Sequence, residues 1–133
     1  MQWLFAGEIQ GILREESIPF RVRGIPASSP HGALNGRTAK TVPMASQKIL
    51  PEQKEVVVAV VHKRRQTQIS IDPSYLEPWK PSEGNKVLVV RNSWFGQVGK
   101  LILLEREECT IQIESSGKYI SVKVEDVVNV LRR

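Results

Sequence analysis

Cysteine is almost missing: Cys109 is the only one in 133 residues. One cysteine excludes an internal disulfide and a thiolate metal cluster. It stands in the alternating run Cys-Thr-Ile-Gln-Ile, a pattern that predicts a small buried thiol. Long apolar runs are missing too, with no stretch near the ~20 residues that span a bilayer. The opening Met-Gln-Trp-Leu-Phe-Ala-Gly-Glu has neither the basic start nor the long apolar core of a signal peptide. These absences predict a soluble intracellular protein with no membrane partner. Acidic residues are absent between Ser17 and Pro51, while Arg21, Arg23, Arg37, Lys40 and Lys48 all fall there.

The furniture of catalysis is equally thin. His31 and His62 are the only histidines, and neither has metal-ligand or nucleophile spacing. His31 lies in a Pro-Gly loop and His62 ends a strand. Glu107 and Glu108 are adjacent, so on a strand they would face opposite sides and could not act as a pair. Asp126 follows Glu125 near the terminus and reads as solvated. No glycine-rich phosphate loop precedes a helix. The expectation is a non-catalytic protein without metal, cofactor or small-molecule substrate.

What is present is a basic chain with strand-like patterning. Net charge is +5 and the isoelectric point about 9.6, an excess that favours polyanions such as RNA, DNA or an acidic protein surface. His62-Lys63-Arg64-Arg65 forms a second basic cluster, while the last third mixes signs. Hydrophobic content of 41% allows a packed core of modest size. A barrel of roughly 50–60 residues is marginal alone, so two such units would lean on each other.

Along the chain, residues 1–17 form a lead-in, either an amphipathic helix on Trp3, Leu4, Ile9, Ile12 and Leu13 or a segment packing across a barrel. Gly7 and Gly11 weaken the helix by about 1 kcal/mol each. Ile18–Arg23 alternates as a strand would, and residues 24–36 carry loop chemistry. Through Thr38, Val42 and Ile49 no pattern decides. Val56–Val61 is a β-branched run typical of a buried strand. The polar Lys63-Arg-Arg-Gln turns the chain into the alternating Thr67–Asp72. Pro73 and Leu76-Glu-Pro-Trp-Lys-Pro-Ser then close the unit as a stiff linker. Beyond it, strands are expected at 86–90, 98–104, 110–114 and 119–124, with residues 125–131 as a last turn or strand that pairs back. Short strands at regular spacing with turn chemistry between them predict a small barrel or sandwich.

The stretch Gly84-Asn-Lys-Val-Leu-Val-Val-Arg-Asn-Ser-Trp-Phe-Gly-Gln-Val-Gly-Lys-Leu resembles a KOW motif. A first strand runs into a turn where Asn92 must take φ > 0. The tip Ser93-Trp94-Phe95 projects outward, and Gly96 and Gly99 let the chain re-enter the sheet without a Cβ clash. KOW sequences usually carry glycine where Asn92 stands. A fainter copy runs through Phe20-Arg-Val-Arg and Leu34-Asn-Gly-Arg-Thr-Ala-Lys. With Tyr75-Leu-Glu-Pro-Trp-Lys-Pro-Ser-Glu-Gly-Asn-Lys-Val87 between two units, the arrangement is similar to the C-terminal tandem KOW domains of the large subunit of the eukaryotic elongation factor DSIF, in the NusG family. It covers about Phe20–Leu131.

That resemblance implies an all-β fold of two small SH3-like barrels in tandem, residues 18–80 and 83–133. It implies a transcription elongation module, nuclear, binding the RNA polymerase II elongation machinery, nascent RNA or other elongation factors. No segment matches an NGN domain or a repetitive phosphorylated tail, so the chain reads as a fragment or shortened relative. Binding candidates are Trp94 and Phe95 for stacking on unpaired bases, beside Arg91 and Lys100. Lys63, Arg64 and Arg65, with Arg21, Arg23, Arg37 and Lys40, are candidates for phosphate contacts. Two other readings are a cytoplasmic ribosomal or RNA-processing KOW protein packing on structured RNA, and an adaptor that reads peptides.

Overall fold

The computed structural model describes residues 2–42, 55–62 and 64–132. Lys63 and the stretch around Lys48 and Ile49 lie outside the described residues. The chain is mostly β, with 46% strand and 16% helix, and divides into two compact units, Met1–Pro78 and Trp79–Arg132.

The first unit opens with a 3-10 turn, Gln2–Phe5, and a six-residue helix α1, Gly7–Ile12. Both expectations for this segment hold in part: a helix of fewer than two turns forms, and the lead-in packs on the first unit. Leu4, Ile9 and Leu13 are buried, and Trp3 stacks on Phe20 with ring centroids 6.5 Å apart. The lead-in therefore belongs to the first unit and is not a separate segment. Strands follow at β1 (Glu16–Ser17), β2 (Pro19–Val22), β3 (Thr38–Thr41), β4 (Val56–His62), β5 (Arg65–Ile71) and β6 (Leu76–Pro78). The antiparallel sheet runs β5-β4-β3-β2-β6.

Two expectations change here. Leu76-Glu-Pro is not linker but strand β6, paired with β2 through Val22↔Leu76, Arg21↔Glu77 and Phe20↔Pro78. The turn expected over residues 63–66 is shorter: His62 faces Arg65 in register, leaving a two-residue loop in which Arg64 takes φ 66°. Val56–Val61 is largely the buried strand expected: Val56, Val58, Ala59 and Val60 are all buried, and Val61 at its end is 49% exposed. Within the 24–36 loop, a 3-10 turn at Gly32–Leu34 is held by Asn35. Its carboxamide oxygen accepts from Ile25 N–H at 3.0 Å and its Nδ2 donates to the Ile25 carbonyl at 2.9 Å.

The second unit has β7 (Lys86–Val89), β8 (Val98–Glu105), β9 (Glu108–Ile113), β10 (Tyr119–Lys123), β11 (Val127–Asn129) and β12 (Leu131–Arg132). Its antiparallel sheet runs β10-β9-β8-β7-β11. Val124, expected at the end of the fourth strand, opens a 3-10 turn, Val124–Asp126, and Val127–Asn129 then pairs back on β7 as expected. The core gathers Val87, Val89, Leu101, Cys109, Ile111, Ile113, Ile120, Val122 and Val127. Burial pushes the Cys109 thiol above its ordinary pKa, with Asp126 adding to the shift. It is held as the neutral form, an unreactive packing group.

Position for position, the two sheets have one topology. Each places its strands in the order fourth, third, second, first, fifth, with a 3-10 turn before the fifth (Pro73–Tyr75 and Val124–Asp126). The turn hydrogen bonds also correspond. Gly36 N–H donates to the Val22 carbonyl at 2.7 Å, and Gly96 N–H to the Val89 carbonyl at 2.8 Å. Val22 N–H reaches the Arg37 carbonyl and Val89 N–H the Gln97 carbonyl, both at 2.9 Å. Arg23 N–H finds Tyr75 and Val90 N–H finds Asp126, both at 2.8 Å. Gly36 and Gly96 take φ 82° and 87°, the left-handed region where a Cβ is costly. Among the described residues no strand pairing links β5 to β6 or β10 to β11, so neither sheet closes through backbone hydrogen bonds.

Candidate nucleic-acid interface

The turn between β7 and β8 is built on Asn92. The residue takes φ 75°, which asparagine tolerates better than most. Its side-chain oxygen accepts from Trp94 N–H at 2.7 Å, and its Nδ2 donates to the Asp126 carboxylate at 3.3 Å. Phe95 N–H closes on the Asn92 carbonyl at 3.2 Å and Gln97 N–H on Trp94 at 3.1 Å. The tip is therefore fixed by its own bonds, and Trp94 projects from it, 38% exposed, beside the exposed Arg91. Phe95 does not project as expected: it is half-buried, leaving one aromatic side chain at the tip where the sequence suggested two.

Lys100 is not part of that tip. It lies within β8, paired directly with Lys86 of β7 and with Gln112 of β9. Gly99 beside it is needed for close approach, not for a reversal. A Cβ there would collide with the Gln112 carbonyl oxygen and stand 2.6 Å from Ile111 Cγ2.

In the first unit Arg64 and Arg65 are exposed at the β4–β5 turn, and their neighbour Lys63 lies outside the described residues. Arg21, Arg37 and Lys40 are exposed on or beside the strand pair β2–β3, with Arg21 facing Thr38 and Lys40 facing Pro19. Arg23 donates to the Glu77 carboxylate at 2.8 Å. That hydrogen bond, with the charge behind it, raises the already high pKa of the guanidinium. Arg23 is thus partly committed within the unit, and an exposed pair of this kind adds little stability.

Two side chains not singled out from the sequence complete the picture. Tyr119 is 64% exposed on β10, opposite Gln112. Lys86 sits 3.4 Å from the Glu114 carboxylate. Aligning the strands across the Asn92–Gly96 turn would have brought Lys86 opposite Lys100; counting charges along the chain does not.

Among the described residues no group of three or more His, Cys, Asp or Glu side chains gathers to hold a metal ion. No protein-family model matches this sequence, and no curated protein matches it either.

Proposed function

We propose that this chain is a non-catalytic tandem of SH3-like units of the KOW type that binds nascent RNA within a transcription elongation complex. The observation carrying this reading is the repeated frame: the same strand order, the same left-handed glycine after the first turn, and the same three hydrogen bonds in both units. A frame used twice with different turn residues is a scaffold that presents side chains. Those presented are an exposed tryptophan beside an arginine on one turn and two arginines on another. Aromatic platforms with nearby cations suit unpaired bases and phosphates. The KOW assignment and the elongation role rest on the sequence resemblance, and fold-level likeness alone does not fix function.

Fluorescence anisotropy with labelled single-stranded RNA, titrated at about 50 and 200 mM salt, tests this. Affinity is expected to fall steeply with salt and to drop on order tenfold for Trp94→Ala, which removes one stacking platform. Arg64→Ala should weaken binding and flatten the salt dependence. Absence of RNA binding at low salt would sink the reading.

A further inference from the structure

The second sheet carries a transverse row of side chains that its fold does not require. Register places Lys86, Lys100, Gln112 and Tyr119 side by side across β7, β8, β9 and β10, and cross-strand partners share a face of the sheet. The first unit supplies the comparison. Its equivalent row, fixed by the same registers, reads Pro19, Lys40, Ala59 and Gln68. Proline, alanine and glutamine therefore serve the same fold where the second unit has lysine, glutamine and tyrosine.

Two features of the row are unfavourable in the protein alone. Lys86 and Lys100 are like charges directly opposite one another, an arrangement that destabilises a sheet. The Glu114 carboxylate stands 3.4 Å from Lys86 and would compete with any anion held there. Tyr119 meanwhile exposes 64% of its surface at the sheet's outer strand. The two lysines, with Gln112, Glu114, Gly84, Gly99 and Gly117, border a shallow hollow of about 460 Å³. An anion over the lysine pair relieves the repulsion, and a planar ring over Tyr119 covers its face. Lys100 and Tyr119 are two strand spacings apart, ~10 Å, a gap that a flexible lysine stem shortens.

We infer that the outer face of this sheet, along Lys86, Lys100, Gln112 and Tyr119, binds single-stranded RNA, a phosphate lying over the lysine pair and an unpaired base stacking on Tyr119. This rests on the RNA reading proposed above and adds a site distinct from the Trp94 turn. A duplex keeps its bases stacked on each other, so the tyrosine selects for single strands. The Gln112 side-chain amide nitrogen donates to the Gly117 carbonyl at 3.4 Å, and its oxygen is the acceptor assigned to a ribose hydroxyl.

The experiment is anisotropy of the full chain with a labelled oligouridylate, an oligothymidylate and a duplex DNA across a salt series. Tyr119→Ala should weaken oligouridylate binding about tenfold while Tyr119→Phe holds it, since stacking needs the ring and not the hydroxyl. Lys100→Gln should reduce the log–log salt slope by ~0.7. Glu114→Gln, which removes the competing carboxylate, should tighten binding. Circular dichroism of each variant shows that it is folded. If Trp94→Ala weakens RNA binding while Tyr119→Ala, Lys100→Gln and Glu114→Gln all leave it unchanged, this site is refuted and the general RNA reading survives. If no RNA binds at all, both fall. Equal or tighter binding of oligothymidylate or duplex would overturn the assignment to RNA.

Discussion

Arg64 stands at φ 66° in a two-residue turn, a place where glycine or asparagine is ordinary and arginine is not. Holding a non-glycine residue there costs on the order of 1 kcal/mol, and the Arg64 side chain is exposed. Arg64→Asn is accordingly expected to raise stability by about 0.5–1 kcal/mol in urea denaturation, because asparagine tolerates the left-handed region. If the arginine meets phosphate, the same substitution weakens RNA binding, so stability and affinity move in opposite directions. Asn92 was legible in the sequence as a left-handed turn residue because its flanking pattern defined the turn. Arg64 was not, since a run of basic residues carries no mark of which one bends.

At the scale of elements, strands β7 to β10 were legible because apolar alternation and turn residues coincided. β6 was not, because Leu76-Glu-Pro next to Trp-Lys-Pro reads as proline-rich linker. Only pairing with β2 makes it a strand, and a proline at a sheet edge leaves no ladder donor unmet. β3 was visible only through the faint internal copy: Thr-Ala-Lys-Thr has little apolar character, and tertiary pairing fixes it. Its last residue, Thr41, is 1% exposed and accepts from Ile18 N–H at 2.9 Å through its hydroxyl. Thr41→Val keeps the shape and removes the acceptor. The expected loss is about 1–3 kcal/mol, read as a lower urea midpoint with an unchanged slope. A smaller effect would mean that Ile18 N–H finds another acceptor.

For the molecule as a whole, the duplicated frame makes a quantitative statement. Gly36 and Gly96 hold nearly the same φ and donate to equivalent carbonyls, and neither conformation suits an L side chain. At Gly36 no other atom would crowd an added Cβ, so the conformational penalty stands alone there. Gly36→Ala should cost about 1–2 kcal/mol, and Gly96→Ala a similar amount, each measured by urea denaturation. The faint internal copy was visible in the sequence as strand, turn, glycine, strand. The transverse row was not, because Lys86 and Tyr119 lie 33 positions apart and meet only through strand pairing.

A repeated frame also bears on how the chain avoids misassembly. Two neighbouring units with one topology and matching registers offer each strand a second acceptable partner, and exchange between similar units is a characteristic failure of tandem proteins. Many equivalent positions differ in kind: Phe20 against Val87, Arg21 against Leu88, Thr41 against Leu101, Pro78 against Asn129. A swapped strand would bring an arginine to a site shaped for leucine, or a threonine to a core place held by leucine. Divergence between the two halves thus penalises the mispaired chain relative to the correctly paired one.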